Sequence, residues 1–311
     1  MKRTILVVVI MFSAGFCFAA CPSADLTGDC RVDFNDFALM SAQWPTSDYN
    51  DVAIMANQWL TEGVPNDPCN LVWVDINDPG VPDHEGFNGQ MSKYETTNAQ
   101  YCEYLNAALV SGDIYVGSNI VYGADGSNSG ADFVDEIYFD TYAADSESQI
   151  DYNDVTRTFS VRSRDSNNMS DHPVVGVSWY GATAFCNYYG YRLPTEWEWQ
   201  AVADFDGSYA YGCGATINKS KANYWDYDDG YANPLNLSSY PYTSPVDYYS
   251  SYGYGMNDMA GNAWEWTSSI NGSSRVLRGG CWSHYDYICT VSLRSLIGPY
   301  TTSRFGFRAC R

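Results

Sequence analysis

The stretch HPVVGVSWYGATAFCNYYGYRLPTEWEWQ, His172 to Gln200, sets the architecture of the chain. Ser178 stands where an N-cap side chain accepts a free helix amide, and Gly190 stands where such a helix ends in a left-handed residue. One short helix is expected between them. After Leu193 and Pro194 the pattern restarts, because Thr195 and Glu198 form a Ser/Thr-x-x-Glu capping box ahead of Trp199. Upstream, YETTNAQYCEYLNAAL has a threonine-rich start and an apolar stripe of Tyr101, Leu105, Ala108 and Leu109, which predicts a third helix. The rest of the chain from Trp73 onward consists of short polar and aromatic segments punctuated by glycine. Three short helices in such a background predict an α+β domain with much irregular structure.

Composition supports a packed domain and narrows its partners. The 311 residues include 27 tyrosines and 16% aromatics, which argues for globular structure. A formal charge of -21 argues against nucleic acid or an anionic membrane as partner. The opening MKRTILVVVIMFSAGFCFAA carries Lys2 and Arg3, then a short apolar run, then small residues ending at Ala20, the layout of a secretory signal peptide. The run is too short to span a bilayer, so no transmembrane segment is expected and a secreted, cell-surface or periplasmic location is. A lipoprotein reading acylates Cys21 instead, although the bulky Phe18 fits that cleavage site poorly. Ten cysteines in an exported chain read first as disulfides.

Residues 21–60 form a separate unit. DFNDFALMSAQWP at 33–45 recurs as DYNDVAIMANQWL at 48–60. Helical spacing of Phe37, Met40 and Trp44, then of Val52, Met55 and Trp59, predicts two paired helices. Ahead of them Asp25, Thr27, Asp29, Asp33 and Asp36 occupy positions 1, 3, 5, 9 and 12 of a calcium loop, with the Arg31 carbonyl at position 7. An acidic N-cap turn without metal is the alternative. The second copy has helix residues Met40, Ala42 and Trp44 where ligands would fall, so one calcium is expected. The segment resembles a dockerin repeat, which implies a cohesin-like partner. Residues 61–72, TEGVPNDPCNLV, read as a linker.

The motifs KYETTNAQY, the His172–Gln200 stretch, ANYW, YGMNDMAGNAWEWTSS, RVLRGGCW and FGFRAC occur in the order and spacing of the sulfatase-modifying-factor family, which includes the formylglycine-generating enzymes. The resemblance covers residues 73–311. It implies a C-type-lectin-like fold, often stabilised by calcium, with residues 106–170 an insertion whose GADGSNSGADF segment is an exposed loop. In MNDMAGNAWEW, Asp258 and Glu265 supply carboxylates and the Gly261 and Ala263 carbonyls lie between them, a set of hard oxygens suited to calcium. A buried turn held by Trp264 and Trp266 is the metal-free alternative. The resemblance implies a second calcium site at Asn223 and Tyr224, whose partner aspartate falls near Ser238 here. It also implies a disulfide between Cys186 and Cys310. From the residues alone, Cys21 and Cys30 can staple the dockerin-like turn.

Family enzymes oxidise a sulfatase cysteine to formylglycine with oxygen, using two cysteines after Arg-Gly-Gly whose soft thiolates hold Cu(I). Aligning Gly279 and Gly280 puts Cys289 on the second of these and His284 on the first, with Cys281 on a serine. Three readings stay open. Cys289 and His284 bind copper as the catalytic pair; or Cys281 and Cys289 are structural and oxidised, together or with Cys213; or His284 packs on Trp282. The sequence offers no other catalytic motif. Trp282, Tyr285 and Tyr287, with Tyr300 and Phe305, combine rigid aromatics with polar neighbours in the way of recognition loops. Two functions follow: formylglycine generation on a sulfatase, or non-catalytic lectin-like binding or surface assembly with a peptide or glycan ligand.

Overall fold

The computed structural model describes residues 69–80, 86–126, 133–300 and 304–311. The signal peptide, the dockerin-like repeat with its calcium loop Asp25, Thr27, Asp29, Arg31, Asp33 and Asp36, and Cys21 and Cys30 lie outside the described residues. Cys69 and Leu71, read as the end of a linker, are buried in the main core.

All three expected helices form, and their caps use the expected side chains. Helix α1 spans Asn98–Ser111; Thr97 and Gln100 cap each other's backbone amides at 3.3 and 2.9 Å, and Gly112 closes the helix at φ 80°. Tyr101, Leu105 and Ala108 point into the core. Helix α2 spans Trp179–Tyr188, capped by the Ser178 hydroxyl, which accepts from the Gly181 amide at 2.9 Å. Gly181 lets this helix lie directly on the sheet, since a Cβ there would sit 2.2 Å from the Tyr138 carbonyl. Helix α3 spans Glu196–Asp204, and its capping box pairs the Glu198 amide with Thr195 Oγ1 at 3.1 Å and the Thr195 amide with Glu198 Oε2 at 2.8 Å.

Strands are short and fall into several small sheets. β1 (Trp73–Asn77) pairs antiparallel with β2 (Asn88–Ser92). β3 (Ile114–Gly117), β4 (Ile120–Gly123) and β5 (Ile137–Asp140) form a meander, and β6 (Ile150–Asn153) pairs with β7 (Thr158–Val161). These occupy the expected insertion, together with the two-residue pair β8 (Ser163–Arg164) and β9 (Asn167–Asn168). Residues 127–132 of its glycine-rich loop lie outside the described residues. A hairpin of β10 (Trp225–Asp226) and β11 (Gly230–Tyr231) follows. The central sheet has the order β14-β13-β12-β15, from β12 (Trp264–Asn271), β13 (Ser274–Arg278), β14 (Ser295–Ile297) and β15 (Phe305–Gly306), the last parallel to β12.

The C-terminus returns to the start of the domain. The Gln90 and Arg311 backbones exchange hydrogen bonds of 2.9 Å, and Met91 bridges to Cys310. Arg308 fastens this closure. Its fully buried guanidinium donates to the Ser92, Lys93 and Asn257 carbonyls and to both oxygens of buried Glu265. An ion pair in such surroundings persists only because every donor has a partner. The core is aromatic, with Tyr101, Phe139, Phe185 and Phe307 packed in edge-to-face, tilted and stacked pairs between α1, α2 and the C-terminal segment.

Candidate functional site: a buried thiol loop beside an aromatic face

β13 ends in Arg278, and the next two residues, Gly279 and Gly280, take φ values of 94° and 76°. At residue 280 only glycine fits, for a Cβ would lie 2.6 Å from Cys289 Sγ. The chain therefore turns back on itself and lays Cys289 against the backbone just before Cys281. Hydrogen bonds from His284 N to Cys281 O and from Cys289 N to Asp286 O hold the turn, with a one-turn 3₁₀ segment at Asp286–Ile288. Two further bonds anchor it, Trp225 N to His284 O at 2.9 Å and Trp282 N to Asn262 O at 3.0 Å.

Within this loop Cys281 and His284 meet: Sγ lies 2.9 Å from Nδ1. The Trp264 indole approaches the same nitrogen at 3.3 Å. An indole N–H only donates, so Nδ1 is an acceptor and the ring proton sits on Nε2. The Cys281 thiol then shares the same lone pair. Burial pushes Cys281 up to about 11 and Cys213 up to about 11. Cys289 is raised well above the ordinary thiol value, by burial first and then by the neighbouring charges of Cys281 and Cys213. His284 is lowered by burial and by Arg304. At neutral pH the loop thus holds protonated thiols and a neutral imidazole, the opposite of an activated thiolate site.

The described contact of His284 is with Cys281, three residues before it, and Cys289 has Cys213 in its own apolar cluster. Neither Cys281 nor Cys289 forms a disulfide. The described ring contact of His284 is with Trp264, edge-on with centroids 5.6 Å apart. The Cys281–His284 contact went unforeseen, although the spacing Cys-Trp-Ser-His after two positive-φ glycines is one tight turn.

The acidic turn at MNDMAGNAWEW takes another form than expected. Asp258 adopts φ 56° and is buried with neither carboxylate oxygen paired among the described residues. Burial pushes it up to about 8, with Glu265 and Asp247 adding to the rise against the pull of Arg308. Glu265 differs. Its Oε2 accepts from Trp199 Nε1 at 2.7 Å and Arg308 Nε at 2.6 Å, and its Oε1 from Arg308 Nη2 at 2.7 Å. A third carboxylate, Glu95, accepts from Ala263 N at 2.9 Å and Asn262 Nδ2 at 2.6 Å. Tested against calcium, Asp258 fits as an open buried ligand, and an ion there would add to it the Gly261 and Ala263 carbonyls. Glu265 fits less well, because Arg308 already occupies it. Among the described residues no three His, Cys, Asp or Glu side chains converge as a metal cluster.

At the second expected calcium position, the buried Asn223 has an Oδ1 with no partner among the described residues. The Tyr224 carbonyl accepts instead from Ala232 N at 3.2 Å, inside the β10–β11 hairpin. Ser238, at the place of the missing aspartate, receives a carboxylate from the insertion: Asp165 accepts from its amide at 2.8 Å and its hydroxyl at 2.9 Å. Cys186 and Cys310, the expected disulfide, are both buried and unbridged, with Cys310 within electrostatic reach of Cys186. Of the expected ligand residues, Trp282 is fully buried and forms a floor under Tyr240 and Tyr242, Tyr285 is half-buried, and Tyr287 is 59% exposed. No helix among the described residues is long and apolar enough to cross a membrane.

A central sheet whose Arg-Gly-Gly loop folds back over the Ala-Gly-Asn-Ala-Trp-Glu-Trp turn defines the class: an α+β domain with little regular structure. The chain belongs to the sulfatase-modifying factor enzyme 1-like domain family, whose model matches residues 84–311. It is 36% identical over 164 residues to the serine/threonine-protein kinase pkn1 of Chlamydia caviae, covering 45% of this chain and 24% of the kinase. It is 34% identical over 173 residues to the formylglycine-generating enzyme of Bos taurus, covering 44% of this chain and 43% of that protein. It is 33% identical over 126 residues to the inactive C-alpha-formylglycine-generating enzyme 2 of Bos taurus, covering 36% and 39%. The matched part thus spans less than half the length of each of these relatives.

Proposed function

We propose that the domain is a non-catalytic, ligand-binding member of its family. The observation that carries this reading is the Cys281–His284 contact of 2.9 Å, which commits the imidazole at the first copper position to a neighbouring thiol and leaves Cys289 buried and protonated. Cu(I) clamping by the family's route needs two accessible thiolates, and supplies activation of oxygen when the metal is bound. The relatives include one named as inactive, so loss of turnover has precedent within the family. Beside the loop, exposed aromatic rings supply a binding face.

A second reading rests on one specific observation. Cys289 keeps the position of the second family cysteine and has Cys281 within electrostatic reach, so the two can restore a thiol pair for sulfatase oxidation. Titration of the reduced protein with Cu(I), followed by assay of a Cys-x-Pro-x-Arg peptide, separates the readings. No aldehyde is expected; aldehyde formed in proportion to bound copper would overturn the non-catalytic proposal.

The wider setting is proposed from sequence. Residues 1–20 export the chain, residues 21–60 bind one calcium and present a dockerin-like face to a cohesin-like partner, and residues 61–72 lead into the domain. Cys186 and Cys310 form a disulfide after export, as the family resemblance implies and their electrostatic proximity allows; peptide mapping without reductant tests it.

A further inference from the structure

The segment expected to close the second calcium site, residues 238–242, is held by a cation of the chain's own. The oxygens an ion would take there do not fit calcium. The Tyr224 carbonyl already accepts from Ala232 N, and position 238 presents a serine whose amide and hydroxyl donate where an ion needs an acid. Asn223 turns its amide nitrogen to the Tyr242 carbonyl at 2.8 Å.

Two consecutive residues of the insertion reach this segment instead. Asp165 and Ser166 connect β8 to β9, both left-handed at φ 48° and 66°, the pattern of a type I′ hairpin turn. The turn aims neighbouring side chains at one stretch of chain, although successive residues of a straight strand face opposite ways. Arg164 is buried, and its Nη1 donates to the Pro241 carbonyl at 3.1 Å. Its Nη2 donates to the Ser239 carbonyl and, at 3.0 Å, to Ser239 Oγ. Asp165, exposed, accepts from the Ser238 amide at 2.8 Å and the Ser238 hydroxyl at 2.9 Å.

The pair divides an ion's work. A guanidinium is a permanent cation that gathers backbone carbonyls, and the carboxylate brings the acid that position 238 lacks. Unlike an ion, neither can dissociate. The same strand of the insertion continues the grip, with Val246 N donating to Asp171 O at 2.9 Å and His172 Nδ1 meeting Thr243 Oγ1 at 3.0 Å. Between these fastenings lie Tyr240 and Tyr242, whose rings pack against Trp282 with centroids 4.9 and 5.5 Å away. Trp282 is fully buried and follows Cys281 in the thiol loop. Whatever fixes residues 238–246 therefore fixes the cover over that loop.

We propose that the Arg164–Asp165 turn replaces the second calcium ion and positions Tyr240 and Tyr242 over Trp282 without a metal. This stands whether or not the domain turns over. Hydrogen exchange of the full chain, followed by mass spectrometry in calcium and in chelator, tests it. Exchange across residues 236–246 is expected to be the same in both. Asp165→Ala, at an exposed position, and Arg164→Ala should each speed it about tenfold, the effect of losing a hydrogen bond to a charged group, while α2 exchanges as before. In the same variants Trp282 should lose its protection from hydroxyl-radical oxidation. Faster exchange across residues 236–246 of the unmodified chain in chelator would show an ion at work there and overturn the replacement. Exchange unchanged in both variants would overturn it too. Faster exchange with Trp282 still protected would overturn the positioning role.

Discussion

His284 works as an acceptor for two donors, and this local choice governs the loop's chemistry. A neutral ring beside protonated thiols gives the site no nucleophile at neutral pH. Alkylation by iodoacetamide of the folded, reduced chain at pH 7 should leave Cys281 and Cys289 unmodified, both reacting once urea unfolds the domain; mass mapping of the two samples checks this, and fast labelling of Cys289 in the native state would contradict the account. His172 gives the corresponding pH effect. It is fully buried, its Nδ1 faces Thr243 Oγ1 at 3.0 Å, and burial lowers it to about 4. A histidine depressed in the folded state takes its proton first when unfolded, so its stabilising contribution is present above pH 6.5 and is lost as pH falls toward 4. Up to about 3 kcal/mol is at stake. Denaturant midpoints between pH 7 and 4 should fall less steeply in His172→Gln than in wild type.

At the scale of elements, what was legible in the sequence was whatever depends on neighbours along the chain. Thr97 with Gln100, Ser178 with Gly181, and Thr195 with Glu198 are local hydrogen-bond circuits, and each could be read from spacing. The loop of Gly279 and Gly280 was legible as a motif but its contents were not, because they depend on a contact across nine residues. Gly280 sits against Cys289, and that tertiary contact decides which thiol meets which partner. The same contact makes a prediction. Gly280→Ala adds both a left-handed strain and a collision with Sγ, whereas Gly190→Ala, at φ 74° with open space around it, adds the strain alone. Gly190→Ala should cost about 1 kcal/mol and Gly280→Ala clearly more, roughly 2–4 kcal/mol. Urea midpoints of the two variants check the order. If Cys289→Ala relieves most of the Gly280→Ala penalty, the collision is its cause.

Over the whole molecule, ligand sets assembled from distant segments escaped the sequence, because which acid meets which base is fixed only by the closed fold. Glu265 was expected to bind calcium, but Arg308 arrives from the C-terminus and takes both its oxygens. Glu95 comes from the other end of the domain to the same turn. Three buried carboxylates, Glu95, Asp258 and Glu265, therefore face a single buried guanidinium, and Asp258 is the one whose oxygens stay unpaired among the described residues. The excess of two negative charges is relieved by protons on Asp258 and Glu95, both raised first by burial, or by a cation beside Asp258. If a calcium ion does this, adding calcium to chelator-treated protein should raise the melting temperature, by mass action on the folded state alone. The N-terminal loop from Asp25 to Asp36 is expected to bind calcium too, so the informative quantity is a difference. Asp258→Asn removes the unpaired charge while keeping its size. It should melt higher than wild type in chelator, by the equivalent of about 2 kcal/mol, and gain less from calcium. Equal calcium shifts in wild type and Asp258→Asn would mean that the turn holds no ion and that Asp258 is neutralised by its own proton.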